Sequence, residues 1–137
     1  MTVVKLTALI LAAGALLAAD WEPVEATITA YCPCALCCGR RAVGLTADGT
    51  DVRSSPYGVA ADPDRLPYGT SVYVPAGIGY LDQSRPDDRV FLVDDTGGLI
   101  RRRTRATGMI HLDLRFIHHR NAMRFGRQVA TVWIWRD

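Results

Sequence analysis

Short β-prone runs, each stopped by a cluster of Gly, Pro or Asp, constrain this chain more than any other feature. Residues 24–31 alternate and are rich in β-branched side chains. Further runs follow at 58–61, 71–74, 78–81, 89–93, 109–114 and 128–135, with 78–81 reading as a hairpin partner of 71–74. Between them lie turn formers such as Leu66-Pro67-Tyr68-Gly69-Thr70 and Asp95-Thr96-Gly97-Gly98. Residues 118–126 form the one helix candidate, with Ala122, Met123 and Phe125 as a partial apolar stripe and Gly126 as its stop. Residues 99–108 read as a basic loop. This pattern predicts a mainly β fold, a small closed barrel of six to seven strands with one short helix near the C-terminus.

A chain of 137 residues supports one domain with one core. A net charge of +2 argues for neither nucleic acid nor a membrane surface as partner. Arg101, Arg102, Arg103 and Arg105 form the one local excess of charge, and a solvated face is the stronger reading of it. A monomer is expected, and no cofactor.

Residues 1–19 read as a signal peptide or N-terminal anchor. Lys5 precedes an unbroken apolar stretch over 6–19, too short for comfortable spanning and about right for a secretory core. Leu17 stands where cleavage prefers a small residue, so an uncleaved segment is the alternative. Export to the periplasm, the cell envelope or the medium follows from either reading. The only membrane contact expected is through that segment.

Three aspartates sit at the edges of apolar runs: Asp62 before Pro63, Asp95 before Thr96-Gly97-Gly98, and Asp113 between Leu112 and Leu114. An Asp there is costly unless it is hydrogen-bonded or put to use. Turn capping explains any one of them. All three together suggest carboxylates gathered at one site. His111 shares a strand face with Asp113 but reads as structural, and His118 and His119 read as surface residues. Trp133 and Trp135 share a strand face suited to core packing or a barrel rim.

All four cysteines, Cys32, Cys34, Cys37 and Cys38, fall within seven residues. In an exported chain an even number favours disulfides, with three possible connectivities. A four-thiolate zinc knot built from the same residues is the alternative. Either would pin a loop.

The order of these pieces resembles the 3D domain family, named for its three aspartates and found in membrane-bound lytic transglycosylase A and in stationary-phase and resuscitation-type cell-wall proteins. The matching pieces are Thr29-Ala30-Tyr31, Thr46-Ala47, Ala61-Asp62-Pro63, Leu66-Pro67-Tyr68-Gly69-Thr70, Asp95-Thr96-Gly97-Gly98, Leu112-Asp113-Leu114 and Ala122-Met123-Arg124-Phe125-Gly126-Arg127. They place the domain at 26–137. The resemblance implies a double-psi β-barrel that grips a peptidoglycan glycan strand, with Asp113 catalytic and Asp62 and Asp95 organising the site. One departure stands out: Asp113 comes eighteen positions after Asp95, where the family uses a short link.

The implied reaction is lytic transglycosylation of the β-1,4 bond between N-acetylmuramic acid and N-acetylglucosamine. The leaving oxygen needs a proton, because an alkoxide leaves poorly. The 6-hydroxyl of the muramic acid then closes on its own anomeric carbon to give a 1,6-anhydro end, so one carboxyl can act as acid and then as base. Asp113 suits that role if burial or Asp95 raises its pKa. Tyr31 and Thr46 are candidate sugar contacts, and Gly97 and Gly98 let the backbone approach a sugar. A non-catalytic peptidoglycan-binding barrel is the competing reading.

Overall fold

The computed structural model describes residues 20–40, 42–79 and 85–136. The leader over 1–19 lies outside these, as do Tyr80 and Leu81 of the expected hairpin; Ile78 and Gly79, its first half, form a bend rather than a strand.

Among the described residues, six strands build one sheet: β1 (Trp21–Tyr31), β2 (Val59–Ala60), β3 (Ser71–Tyr73), β4 (Val90–Asp95), β5 (Ile110–Arg115) and β6 (Gln128–Trp135). Their pairings run β1-β5-β2-β4-β3-β6 and return to β1, closing a barrel. Closure removes the exposed edges that strands as short as β2 and β3 would otherwise leave. The β1/β5 and β2/β4 pairs are parallel, and the other four are antiparallel.

Inward-facing residues fill the barrel. Ile28, Val59, Val72, Val93, Leu112, Leu114 and Ile134 are fully buried, with Phe91 beside them. Side chains of this size each contribute about 1.5–3 kcal/mol on burial. The alternation in β1 and β5 comes from this core: Ala26, Ile28, Ile110, Leu112 and Leu114 point in, and the residues between them point out.

Three helices are described rather than one: α1 (Ala35–Cys38), α2 (Gly98–Thr107) and α3 (His119–Phe125). Helix α3 is the expected one, and Phe125 packs edge-on against Phe116 with ring centres 5.5 Å apart. Helix α2 corrects the basic-loop reading. Ile100 and Thr104, four residues apart, are buried, while Arg101, Arg102, Arg103 and Arg105 occupy the outer faces. Two buried positions make too thin a stripe to read as a helix, yet Arg is a good helix former and Gly108 in the left-handed region (φ 72°) ends the segment cleanly. The long link between Asp95 and Asp113 is therefore a helix laid over β5.

Candidate active site

Strand β5 carries His111, Asp113 and Arg115 on its outer face, level with Thr27, Thr29 and Tyr31 of β1 across the parallel pair. A polar face on a barrel survives only if its groups are paired. Here Thr29 Oγ1 donates to Asp113 Oδ1 at 2.9 Å, and Arg115 Nη1 donates to the Tyr31 hydroxyl at 3.3 Å.

Asp95 reaches the same face through an irregularity. Between β2 and β4 the register passes from Val59–Val93 to Ala60–Asp95, so β4 spends one extra residue, Asp94. A bulge of this kind re-aims the side chains that follow it. Ala60 is also the register partner of Asp113. The two carboxylates thus flank one alanine from neighbouring strands, with Cα atoms about 10 Å apart at ordinary strand spacing.

Their surroundings differ. Burial pushes the Asp113 carboxyl up to about 6; the Thr29 hydrogen bond opposes this, the Asp95 charge adds to it, and Arg103 opposes it. Asp95 is fully engaged. Tyr31 donates to its Oδ2 at 2.7 Å, and the amides of Ala47 and Thr96 donate to Oδ1 at 2.9 Å each. Burial and the Asp95 charge hold the Tyr31 phenol far above its usual range, so it stays a donor.

Behind this pair lies a buried salt bridge. Arg115 grips Asp94 with two hydrogen bonds of 2.8 and 2.7 Å and donates a third, of 3.0 Å, to the Ser55 carbonyl. Burial works against the Arg115 charge, but Asp94 and Tyr31 outweigh it. Gly58 is required here: a Cβ at that position would collide with both the guanidinium and the Asp94 carboxylate.

The two aspartates open onto a cleft of about 380 Å³, with Tyr31, Leu45, Ala60 and Ile100 among its walls. A second depression of about 450 Å³ lies between Tyr68 and Trp135, and no carboxylate is among its described lining residues. Of these two, the first alone has carboxylates among its described lining residues.

The other expected site residues divide. Asp62 is buried but does not line the cleft; its carboxylate accepts from the Asp64 amide at 3.1 Å and from Arg105 of α2 at 3.3 Å. Thr46 ties its own turn, donating to Asp48 at 2.7 Å and accepting from the Thr50 amide at 3.1 Å. Tyr31 lines the cleft with its hydroxyl spent on Asp95. Gly97 lines the cleft and Gly98 opens α2, and a Cβ on either would meet nothing. His111 is buried against α2, its Nε2 3.3 Å from the Thr107 hydroxyl. Trp133 and Trp135 join Tyr73 and Trp21 in edge-on contacts on the barrel surface.

The cysteines carry no disulfide; all four are free. Cys32 donates to the Cys34 sulfur at 2.7 Å, which together with the amides of Cys37 and Leu36 lowers the Cys34 thiol, while burial and the Cys34 contact raise Cys32. Cys38 turns away and donates to the Cys32 carbonyl at 3.3 Å. His119 corrects the surface reading, because its Nδ1 lies within 3.6 Å of three sulfurs.

Sequence reasoning gave Thr29, Asp94, Arg115 and His119 no role. The Thr29/Tyr31 and Asp113/Arg115 alternations on adjacent strands held the signal for two of these residues, Thr29 and Arg115, but the parallel register that aligns them is a tertiary fact. No curated protein matches the sequence. Residues 57–136, which span all three aspartates and every strand except β1, match the 3D domain. The chain belongs to the 3D domain family.

Proposed function

We propose that the protein is an exported lytic transglycosylase that cuts peptidoglycan glycan strands, with Asp113 as the single acid and base. The observation that carries this reading is the Asp113 carboxyl itself: half-buried, pushed up to about 6, and facing a cleft of about 380 Å³. A carboxyl with that pKa keeps a usable fraction of its proton near neutrality. It gives the proton to the glycosidic oxygen as the bond to the anomeric carbon breaks. The resulting carboxylate then takes the proton of the muramic acid 6-hydroxyl as that oxygen closes on the anomeric carbon. No water is consumed.

Asp95 supplies negative charge where the sugar ring turns cationic, and its three hydrogen bonds hold it in place. Thr29 fixes the Asp113 rotamer. Thr96 lines the cleft with a buried hydroxyl that has no partner among the described residues, which suits it to a sugar hydroxyl. Exposed Val43 and Leu45 give the cleft an apolar lip for a sugar face. The two parallel pairs in an otherwise antiparallel ring support a double-psi form of the barrel.

Incubating the protein with purified peptidoglycan and analysing the soluble products tests the reading. Release of 1,6-anhydro-muropeptides by the wild type and not by a folded Asp113→Asn variant is the expected result. Equal, trace release by both would leave a barrel that binds glycan without cutting it.

A further inference from the structure

We propose that Cys32, Cys34, Cys37 and His119 form a closed four-ligand site for a zinc-class ion, which staples the loop after β1 to the start of α3. The inference is independent of the glycan reading. The four ligand atoms all lie within 4.8 Å of one another. His119 Nδ1 sits 3.6, 3.5 and 3.4 Å from the sulfurs of Cys32, Cys34 and Cys37. A tetrahedral ion with metal–sulfur bonds of about 2.3 Å and a metal–nitrogen bond of about 2.0–2.1 Å sets that edge at about 3.6 Å. The sulfur–sulfur edge would be about 3.8 Å. Cys32 and Cys37 are 3.6 Å apart, and Cys32 and Cys34, at 2.7 Å, separate as the ion enters between their thiolates.

The donor set is three thiols and an imidazole, with no carboxylate, which selects zinc over magnesium or calcium. Four protein donors fill a tetrahedron and leave no open position, so the site is structural rather than catalytic. A disulfide would use two of the sulfurs and leave unexplained why an imidazole 82 to 87 residues away is aimed at all three. Cys38 is the spectator, engaged with the Cys32 carbonyl. The ion would also bear on the cleft, because Cys37 lines it, one residue before Cys38, which lines it too. The proposed set differs at one position, His119 for Cys38, from the four-thiolate knot that the sequence offered as the alternative to disulfides.

Metal content after reduction, loading with zinc alone and removal of excess tests the proposal, with cobalt alone as a spectroscopic probe. One zinc per chain and a tetrahedral cobalt spectrum with three thiolate ligands are expected. Cys38→Ser should keep the full equivalent, whereas His119→Ala and Cys34→Ser should each bind at least tenfold more weakly. A chelator should lower the wild-type melting temperature and leave that of Cys34→Ser unmoved. Substoichiometric zinc in the wild type, or a cobalt spectrum of four thiolates with Cys38→Ser as impaired as His119→Ala, would overturn it. So would a disulfide mapped among Cys32, Cys34 and Cys37 in the protein as isolated.

Discussion

Asp95 and Asp113 stand on either side of Ala60, each its register partner across a neighbouring strand. That relationship depends on the extra residue at Asp94, which turns Asp95 toward the face that Asp113 already occupies. The alanine between them is small, and its side chain belongs to the cleft wall. Ala60→Leu should fill the space where a sugar ring would sit and lower kcat/KM by about tenfold or more. Steady-state kinetics on a soluble glycan, with circular dichroism to confirm folding, checks this.

Asp113→Asn should abolish activity and stabilise the fold at neutral pH. The folded pKa of about 6 lies above the ordinary carboxyl value of 3.8, so the folded state holds its proton more tightly than the unfolded chain. The associated stability is fully present below about pH 4 and is lost as pH rises through about 6. A neutral Asn retains the oxygen that accepts from Thr29 and avoids burying charge, a gain of about 1–3 kcal/mol above pH 7. Urea unfolding at pH 4 and at pH 7.5 should show the gain only at the higher pH.

The pH dependence of cleavage should have a descending limb near pH 6, where Asp113 loses the proton the first step requires. Asp95→Asn should move that limb to lower pH, since the Asp95 charge helps to raise Asp113. Carboxyl carbon NMR of the two proteins measures the same shift without substrate.

Gly58→Ala should destabilise the protein by about 2–4 kcal/mol, because the new methyl would displace a buried ion pair. Arg115→Met should cost about 3–5 kcal/mol by leaving Asp94 buried and uncompensated. Denaturant titration measures both.

Asp62→Asn should leave the chemistry largely intact. Its carboxylate serves a turn and Arg105 rather than the cleft, and Arg105 is well exposed. A loss of about 1 kcal/mol in stability, with kcat reduced far less than in Asp113→Asn, is expected.

Much of the barrel was legible because its signals are local. Alternation in β1 and β6, the β-branched run of β4 and the Gly126 stop of α3 each follow from neighbours in sequence. Helix α2 was hidden because its buried stripe is only Ile100 and Thr104, and its outer face reads as a charge run. Asp95 and Asp113 could be named, but not Thr29 or Arg115, whose roles come from the parallel β1/β5 register. The cysteines suggested a self-contained cluster, and only the placement of α3 brings His119 to them.

Digestion of peptidoglycan in water enriched in heavy oxygen tests most directly whether Asp113 works without a water nucleophile. Anhydro products free of the label, formed by the wild type and absent with Asp113→Asn, are predicted. Labelled reducing ends, or unlabelled anhydro products from Asp113→Asn at the wild-type rate, would contradict it.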